Sequence, residues 1–134
     1  MPSERDTAAV RKRANGRCEY CHAPEEVAGY TFHIEHINPR SKGGPDELEN
    51  YALSCVHCNI SKSNHVTGLD PLTGTDHRLF HPRKDNWSNH FQMRKQIQIG
   101  GRTEIGRATE QRLKLNAPSQ LEARELWAQL GLYL

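Results

Sequence analysis

Two side chains with complementary chemistry are adjacent in the stretch FHIEHINPRSKGG, residues 32–44. Glu35 supplies a hard oxygen ligand of the kind that Mg²⁺ or Mn²⁺ prefers. His36 is a natural general base near neutral pH. Together they could hold a cation and activate a water molecule beside it. On these two residues alone, a solvated strand end is the simpler interpretation, because charged side chains are mostly exposed.

Two cysteine pairs flank this stretch, CEYC at 18–21 and CVHC at 55–58, with 33 residues between them. Two C-x2-C pairs supply the four thiolates of a tetrahedral Zn²⁺ site. A redox pair and unrelated free thiols are the alternatives, but a redox motif needs no second copy. We therefore predict a structural zinc held by Cys18, Cys21, Cys55 and Cys58. Four thiolates leave no open coordination position, so this zinc should not be catalytic.

The composition is consistent with a domain that needs such a metal. The chain has 134 residues, of which 35% are hydrophobic, and a mean hydropathy of −0.83. A small domain with a thin core gains much of its folding free energy from a structural metal. No apolar run approaches the roughly 20 residues that span a bilayer, and MPSERDTAAVRKR lacks the apolar region of a secretory signal. We expect a cytoplasmic protein with no membrane partner, where paired cysteines bind metal.

Capping residues and periodicity predict the elements that position these residues. Ser3 followed by Asp6 predicts a helix at 4–15. The alternation in YTFHIEHI predicts a strand at 30–37, followed by a loop rich in Pro and Gly. A further helix is predicted at 56–65.

After residue 66 the sequence becomes rich in turn residues, which predicts two domains, 1–66 and 67–134, with the second packing on the first. In the turn-rich stretch 67–87, we predict at most a short strand around 77–80. Residues 88–99 fit a strand or a helix. Helices are predicted at 105–116 and 119–134.

The stretch from Cys18 to Lys62 resembles the HNH (ββα-metal) nuclease family, in the subgroup whose motif is enclosed by two CxxC knuckles. The resemblance is carried by CEYC, HIEHINPRSKGG, ELEN and CVHCNISK. It implies an α+β fold: a small ββα-metal, treble-clef-like core stabilised by zinc, with a C-terminal α/β extension that ends in helices.

The resemblance also implies the roles of individual residues. Glu35 and Asn59 would hold a catalytic Mg²⁺ or Mn²⁺ ion, with His36 as the general base and Asn50 pinning the loop. Two positions depart from the commoner motif: Glu35 replaces an Asp, and Asn59 stands where a His is frequent. A neutral amide oxygen binds a hard cation more weakly than a carboxylate does, which favours Mg²⁺ or Mn²⁺ over a tightly held transition metal.

The implied function is a metal-dependent DNA endonuclease that leaves 5′-phosphate and 3′-hydroxyl ends. The alternative is a non-catalytic, zinc-stabilised nucleic-acid-binding module. Arg40, Lys42 and Lys62 lie close enough in the motif to contact flanking phosphates, although a solvated charge is an equal alternative for each.

Positive charge is concentrated in the C-terminal half. Residues 1–65 hold eight Lys and Arg against nine Asp and Glu, whereas residues 78–114 hold nine against three. This excess favours a polyanion partner as much as it favours an ordinary solvated face. Arg83 and Lys84 are the candidate DNA contacts here. The interleaved Phe80, Trp87 and Phe91 could stack on bases, but we favour a role in a small core.

Overall fold

The computed structural model describes residues 2–133, which divide into two compact units, Met1–Asn64 and His65–Leu134. The helices are α1 (Glu4–Arg13), α2 (Glu25–Ala28), α3 (Val56–Lys62), α4 (Trp87–His90), α5 (Glu104–Leu113) and α6 (Pro118–Gln129). The strands are β1 (His33–His36), β2 (Tyr51–Ser54), β3 (Thr67–Asp70), β4 (Thr75–Arg78), β5 (Phe91–Arg94) and β6 (Gln98–Gly101). The domain bounds 1–66 and 67–134, and the packing of the second domain on the first, stay predictions.

The first unit is built around the order β1, β2, α3. The strands pair antiparallel, with His33 opposite Ser54 and His36 opposite Tyr51. The loop between them contains two 3₁₀ turns, Arg40–Lys42 and Leu48–Asn50. This hairpin followed by a helix, together with the hairpins and helices of the second unit, confirms the predicted α+β class.

Local signals explain where the elements of the first unit begin and end. The Ser3 hydroxyl accepts a hydrogen bond from the Asp6 amide at 3.0 Å, which confirms the predicted start of α1. The chain leaves this helix through Asn15 and Gly16, both with positive φ. The strand β1 is shorter than the predicted 30–37. Its shortness leaves His36 as the last residue of the strand.

In the second unit, the strand prediction for residues 67–87 was wrong. The antiparallel β3–β4 hairpin replaces the single short strand predicted there, and β5–β6 forms another antiparallel hairpin. Residues 88–99, which fitted either state, contain the end of α4, all of β5 and the start of β6. The β5–β6 turn passes through Lys95 and Gln96, both with positive φ. The helix predicted at 119–134 is observed as α6, and its predicted last residue lies outside the described range.

Polar contacts between elements hold the second unit together. The buried Asp70 at the end of β3 accepts two hydrogen bonds from the Arg107 guanidinium of α5, at 2.9 and 3.0 Å. Arg107 holds the pKa of the Asp70 carboxyl well below its usual range.

Phe80 and Phe91 are buried and in edge-to-face contact, with ring centroids 5.4 Å apart. Their burial supports the core role that we favoured for these two rings.

Among residues 2–133, no helix combines the length and the apolar character needed to cross a membrane.

Helix α5 approaches its neighbours so closely that only glycine fits at position 106. A Cβ atom there would lie 2.0 Å from the backbone oxygen of His90 and 3.2 Å from the Cα of Gly101. Both atoms belong to the main chain and cannot rotate away. Gly106 therefore sets the distance between α5 and the β5–β6 hairpin.

We expect Gly106→Ala to destabilise the second unit by roughly 1–3 kcal/mol, the usual cost of overpacking. The sign of the change in unfolding free energy is informative, because replacing Gly by Ala inside a helix otherwise stabilises a protein by about 0.5–1 kcal/mol. Thermal and urea unfolding would measure the change. Gln111→Ala, at an exposed position of the same helix, is the matched control and should be close to neutral. An alanine at 106 that stabilises the protein would contradict the close approach.

Candidate functional site

The four cysteines form one buried cluster of sulfur atoms. Their ligand atoms all lie within 4.8 Å of one another, and the sulfurs of Cys21 and Cys55 are 3.6 Å apart. Zinc–sulfur bonds of about 2.3 Å in a tetrahedron place neighbouring sulfurs roughly 3.8 Å apart. The donor set and its spacing therefore fit a structural zinc ion, as predicted.

Backbone hydrogen bonds shape each half of this cluster. In the first knuckle, Cys18 accepts from the His22 amide at 2.8 Å and donates to the Ala23 carbonyl at 2.9 Å. In the second, the Cys55 sulfur caps α3 by accepting from the Cys58 amide at 3.4 Å. The first knuckle also docks on β2: Glu19 donates its amide to the Leu53 carbonyl, and its carboxylate accepts from the Leu53 amide at 2.9 Å.

A groove of about 490 Å³ lies beside the hairpin of the first unit. All four residues of β1 line it, so residues that alternate between the two faces of the strand border the same space. Asn59 of α3 lines it as well. The remaining lining residues are Pro39, Arg40, Ser63 and Asn64. The groove thus brings together Glu35, His36 and Asn59, although the first two are neighbours on a strand.

The Glu35 carboxylate is buried and has two partners inside the unit. The Tyr20 hydroxyl donates a hydrogen bond to it, and the Lys62 ammonium lies 3.8 Å away. Burial raises the pKa of Glu35 to about 7, against the opposing effects of Lys62 and Tyr20. A carboxylate and an amide oxygen, from Glu35 and Asn59, are hard donors that suit Mg²⁺ or Mn²⁺.

Lys62 is a correction to the set of predicted phosphate contacts. Its side chain is only 2% exposed, and its ammonium donates to the backbone carbonyl of Ile37 at 2.9 Å. Burial lowers the pKa of Lys62, while the charge of Glu35 opposes that change. A phosphate outside the fold cannot reach this ammonium group. Lys62 instead fastens α3 to the end of β1.

The His36 imidazole is held between two side chains. Its Nε2 lies 2.7 Å from Oδ1 of Asp46, and its ring meets Tyr51 edge-on with centroids 5.2 Å apart. Asp46 also accepts two hydrogen bonds from the Arg40 guanidinium, both at 2.9 Å. The hydrogen bonds from Arg40 and, to a lesser extent, from His36 lower the pKa of Asp46 to about 2.

Asn50 is buried and joins the two ends of the loop that follows His36. Its side-chain amide donates to the carbonyls of Asn38 and Pro45 at 2.9 and 3.0 Å, and its oxygen accepts from the Asn38 amide at 2.9 Å. A Cβ atom on Gly44 would lie 1.7 Å from the Asn38 oxygen. These contacts pin the loop, which is the geometry that the predicted role of Asn50 requires.

The other predicted phosphate contacts lie in different surroundings. Arg40 and Lys42 are exposed on the loop of the first unit. Arg83 and Lys84 belong to the second unit, where their backbone amides donate to Nδ1 of His81 at 3.1 and 3.3 Å. Burial lowers the pKa of His81, which favours the neutral ring that can accept these bonds. A role in DNA contact stays a prediction for all four basic residues.

Two residues of the site were not predicted from the sequence. Tyr20 lies inside the first cysteine knuckle and supports Glu35, and Asp46 lies in the loop and contacts His36. The DEL stretch that follows Pro45 looks like an ordinary polar loop, so its signal was weak. For Tyr20, an aromatic residue between two metal-ligating cysteines was the available clue.

We expect the purified protein to contain about one zinc ion per chain, and Cys58→Ser to lose it. Structural zinc contributes about 10–16 kcal/mol in small domains, compared with a total stability of about 5–15 kcal/mol, so metal removal should unfold the first unit. Elemental analysis and thermal unfolding with and without a chelator would measure both effects. His33→Ala, at an exposed histidine, is the control and should keep its zinc. A metal-free protein with unchanged unfolding would refute the zinc site.

The raised pKa of Glu35 predicts a pH dependence of stability. A Glu in an unfolded chain titrates near ~4.3, whereas burial raises the pKa of Glu35 to about 7. Between these values the folded chain keeps a proton that the unfolded chain has lost, so stability should fall as pH rises from about 4 to 7. Relative to Glu35→Gln, the free energy of unfolding of the wild type should fall by on the order of 3 kcal/mol over this range, because each unit of pKa difference corresponds to about 1.4 kcal/mol. Urea unfolding of both proteins without added divalent cations measures this change. A difference in unfolding free energy between wild type and Glu35→Gln that stays constant with pH would argue against a raised pKa of Glu35.

Comparison with known proteins adds one match. Residues 18–65 match the family model described as HNH endonuclease. No curated protein and no solved structure matches the chain. The match covers both cysteine knuckles, the β1–β2 hairpin and α3, and it indicates a nuclease-type function and a nucleic acid as partner. Residues 18–65 therefore carry an HNH endonuclease domain, which confirms the resemblance found in the sequence.

Proposed function

We propose that this protein is a metal-dependent DNA endonuclease that hydrolyses phosphodiester bonds in the groove of its first unit. The supporting observation is that Glu35, His36 and Asn59 line one groove within the segment that matches HNH endonucleases. In this proposal the sulfur cluster stabilises the fold, and the reaction takes place in the groove. We further propose a cytoplasmic location.

In this proposal, His36 removes a proton from a water molecule, and the resulting hydroxide attacks the scissile phosphorus in line. The bond from phosphorus to the 3′ oxygen breaks as the new bond forms, which leaves a 5′-phosphate and, after protonation by solvent, a 3′-hydroxyl. Glu35 and Asn59 would hold a divalent cation, Mg²⁺ or Mn²⁺, which when bound would stabilise the negative charge that develops on the phosphate and the leaving oxygen.

The surrounding residues would orient these groups. Asn50 fixes the loop that follows His36 by its three hydrogen bonds to Asn38 and Pro45. Tyr20 and Lys62 hold the Glu35 carboxylate from the interior side, so that its orientation is set before a cation arrives. Exposed basic residues on both units, among them Lys42 and Lys84, would contact DNA phosphates and position the strand.

One observation favours the second candidate, a zinc-stabilised nucleic-acid-binding module that does not cut. Glu35 already has Tyr20 and Lys62 as partners inside the fold. A carboxylate that serves only to neutralise a buried lysine would need no cation. The two functions differ in one measurable property, because a binding module would bind DNA in a salt-dependent way without hydrolysing it.

Nicking of supercoiled plasmid with Mg²⁺ or Mn²⁺ distinguishes the two candidates. We expect wild type to nick, and His36→Ala to lose activity by about 10²–10⁴-fold, the usual contribution of a general base. His77→Ala is the matched control, since it removes a histidine of the second unit that lines no part of the groove, and it should cut at the wild-type rate.

Two results would count against the endonuclease. Equal cutting by wild type and His36→Ala would place the activity elsewhere or in a contaminant. If neither protein cuts but both bind DNA with an affinity that falls steeply with salt, the binding-module function is correct.

A further inference from the structure

The contact between Asp46 and His36 has a consequence for which ring nitrogen can act as the base. Oδ1 of Asp46 lies 2.7 Å from Nε2 of His36. The same carboxylate accepts from Nε and Nη2 of Arg40, each at 2.9 Å. An ionised carboxylate has lone pairs only and accepts hydrogen bonds without donating them. In this contact, the proton of a neutral imidazole therefore belongs on Nε2, and the free lone pair belongs on Nδ1.

Other groups limit the movement of this pair. The Tyr51 ring meets the imidazole edge-on at a centroid distance of 5.2 Å. The loop that carries Asp46 is closed by the bond from the Asn50 amide to the carbonyl of Pro45, the residue before Asp46. The Arg40 guanidinium binds both carboxylate oxygens, so the carboxylate cannot rotate without breaking one of these bonds. The His36 imidazole is thus oriented by Asp46, which is itself held by Arg40.

We propose that Asp46 is a positioning residue that fixes His36 in the Nε2–H tautomer, so that Nδ1 is the atom that takes the proton from the attacking water. Arg40 orients Asp46, and its first role is this contact rather than a phosphate contact. The inference rests on the proposed function for the identity of the substrate, but the tautomer itself does not depend on it.

The proton balance of the step is complete without a further reactant. Nδ1 of His36 takes one proton from water, which yields hydroxide and an imidazolium with protons on both nitrogens. The hydroxide forms the new bond to phosphorus. The Asp46 carboxylate keeps its negative charge throughout and stabilises the imidazolium that it faces. The imidazolium afterwards returns its proton to solvent.

The first test is the tautomer of His36 in the wild-type protein with zinc bound. Long-range ¹H–¹⁵N correlation spectra at alkaline pH distinguish a protonated ring nitrogen from one with a free lone pair. We expect the proton on Nε2 in wild type. In Asp46→Asn the side-chain amide can donate to Nε2, so the proton should move to Nδ1. A wild-type ring protonated on Nδ1 would overturn the proposal, whatever the activity of the protein.

The second test is kinetic. A base held in the wrong tautomer costs about 10⁴-fold in kcat in serine proteases, and we expect Asp46→Asn to lower kcat for plasmid nicking by roughly 10²-fold or more, with KM changed by no more than about twofold. Asp46→Glu retains a carboxylate and should recover part of the loss. Glu47→Gln, which removes one negative charge from an exposed neighbour in the same loop, should keep the wild-type kcat.

The outcomes separate this proposal from the proposed function. An Asp46→Asn variant that cuts at the wild-type rate overturns the positioning role while the endonuclease assignment stands. A wild type that shows the Nε2–H tautomer but cuts no DNA overturns the endonuclease, and Asp46 remains the group that sets the tautomer. A change in KM alone, with kcat unchanged, would show that Asp46 acts on DNA binding and would also overturn the proposal.

Discussion

The meeting of four sulfur atoms is the contact on which the first unit depends. Cys18 and Cys21 come from a short knuckle, and Cys55 and Cys58 come from the first turn of α3. Each of these segments carries a group that acts at the groove: α3 carries Asn59, which lines it, and the knuckle and α3 carry Tyr20 and Lys62, which contact Glu35 from the interior. Hydrogen bonds between Glu19 and Leu53, and from Lys62 to the Ile37 carbonyl, also connect these segments to β2 and to the end of β1. A zinc ion bound to the cluster would therefore stabilise the fold and orient the groove at the same time.

The groove combines a buried acid with a more exposed base on adjacent residues of one strand. Alternation along a strand directs neighbouring side chains to opposite faces. In this short two-stranded hairpin, neighbouring residues of β1 nevertheless line the same groove. Glu35 is supported from the interior by Tyr20 and Lys62, whereas His36 is supported from the loop by Asp46. The two groups can therefore have different surroundings although they are neighbours.

Features with strong local chemistry were predictable from the sequence. The cysteine cluster and the Ser3 cap follow from spacing and capping, whereas the ββα order was implied by the resemblance to HNH nucleases. Residues 88–99 could not be assigned as strand or helix, because the β5–β6 turn places Lys95 and Gln96 at positive φ, where Gly or Asn would have signalled a turn. The burial of Lys62 was missed because its partners, Glu35 and the Ile37 carbonyl, are distant in sequence. Contacts of this kind depend on the tertiary fold rather than on any local pattern.

Because Asn59 directly follows Cys58, the chain should tolerate insertions in some segments of the first unit and not in others. Both residues lie on α3. One residue inserted between them would rotate Asn59 and the rest of the helix by about 100° around the helix axis. Such an insertion would turn Asn59 away from the groove while leaving the sulfurs in place. The segment between the first knuckle and β1, residues 22–32, is not bound by this constraint, since closing a longer loop costs little free energy. Among homologous chains, gaps should therefore collect ahead of the first strand and be excluded from the five residues that run from Cys55 to Asn59.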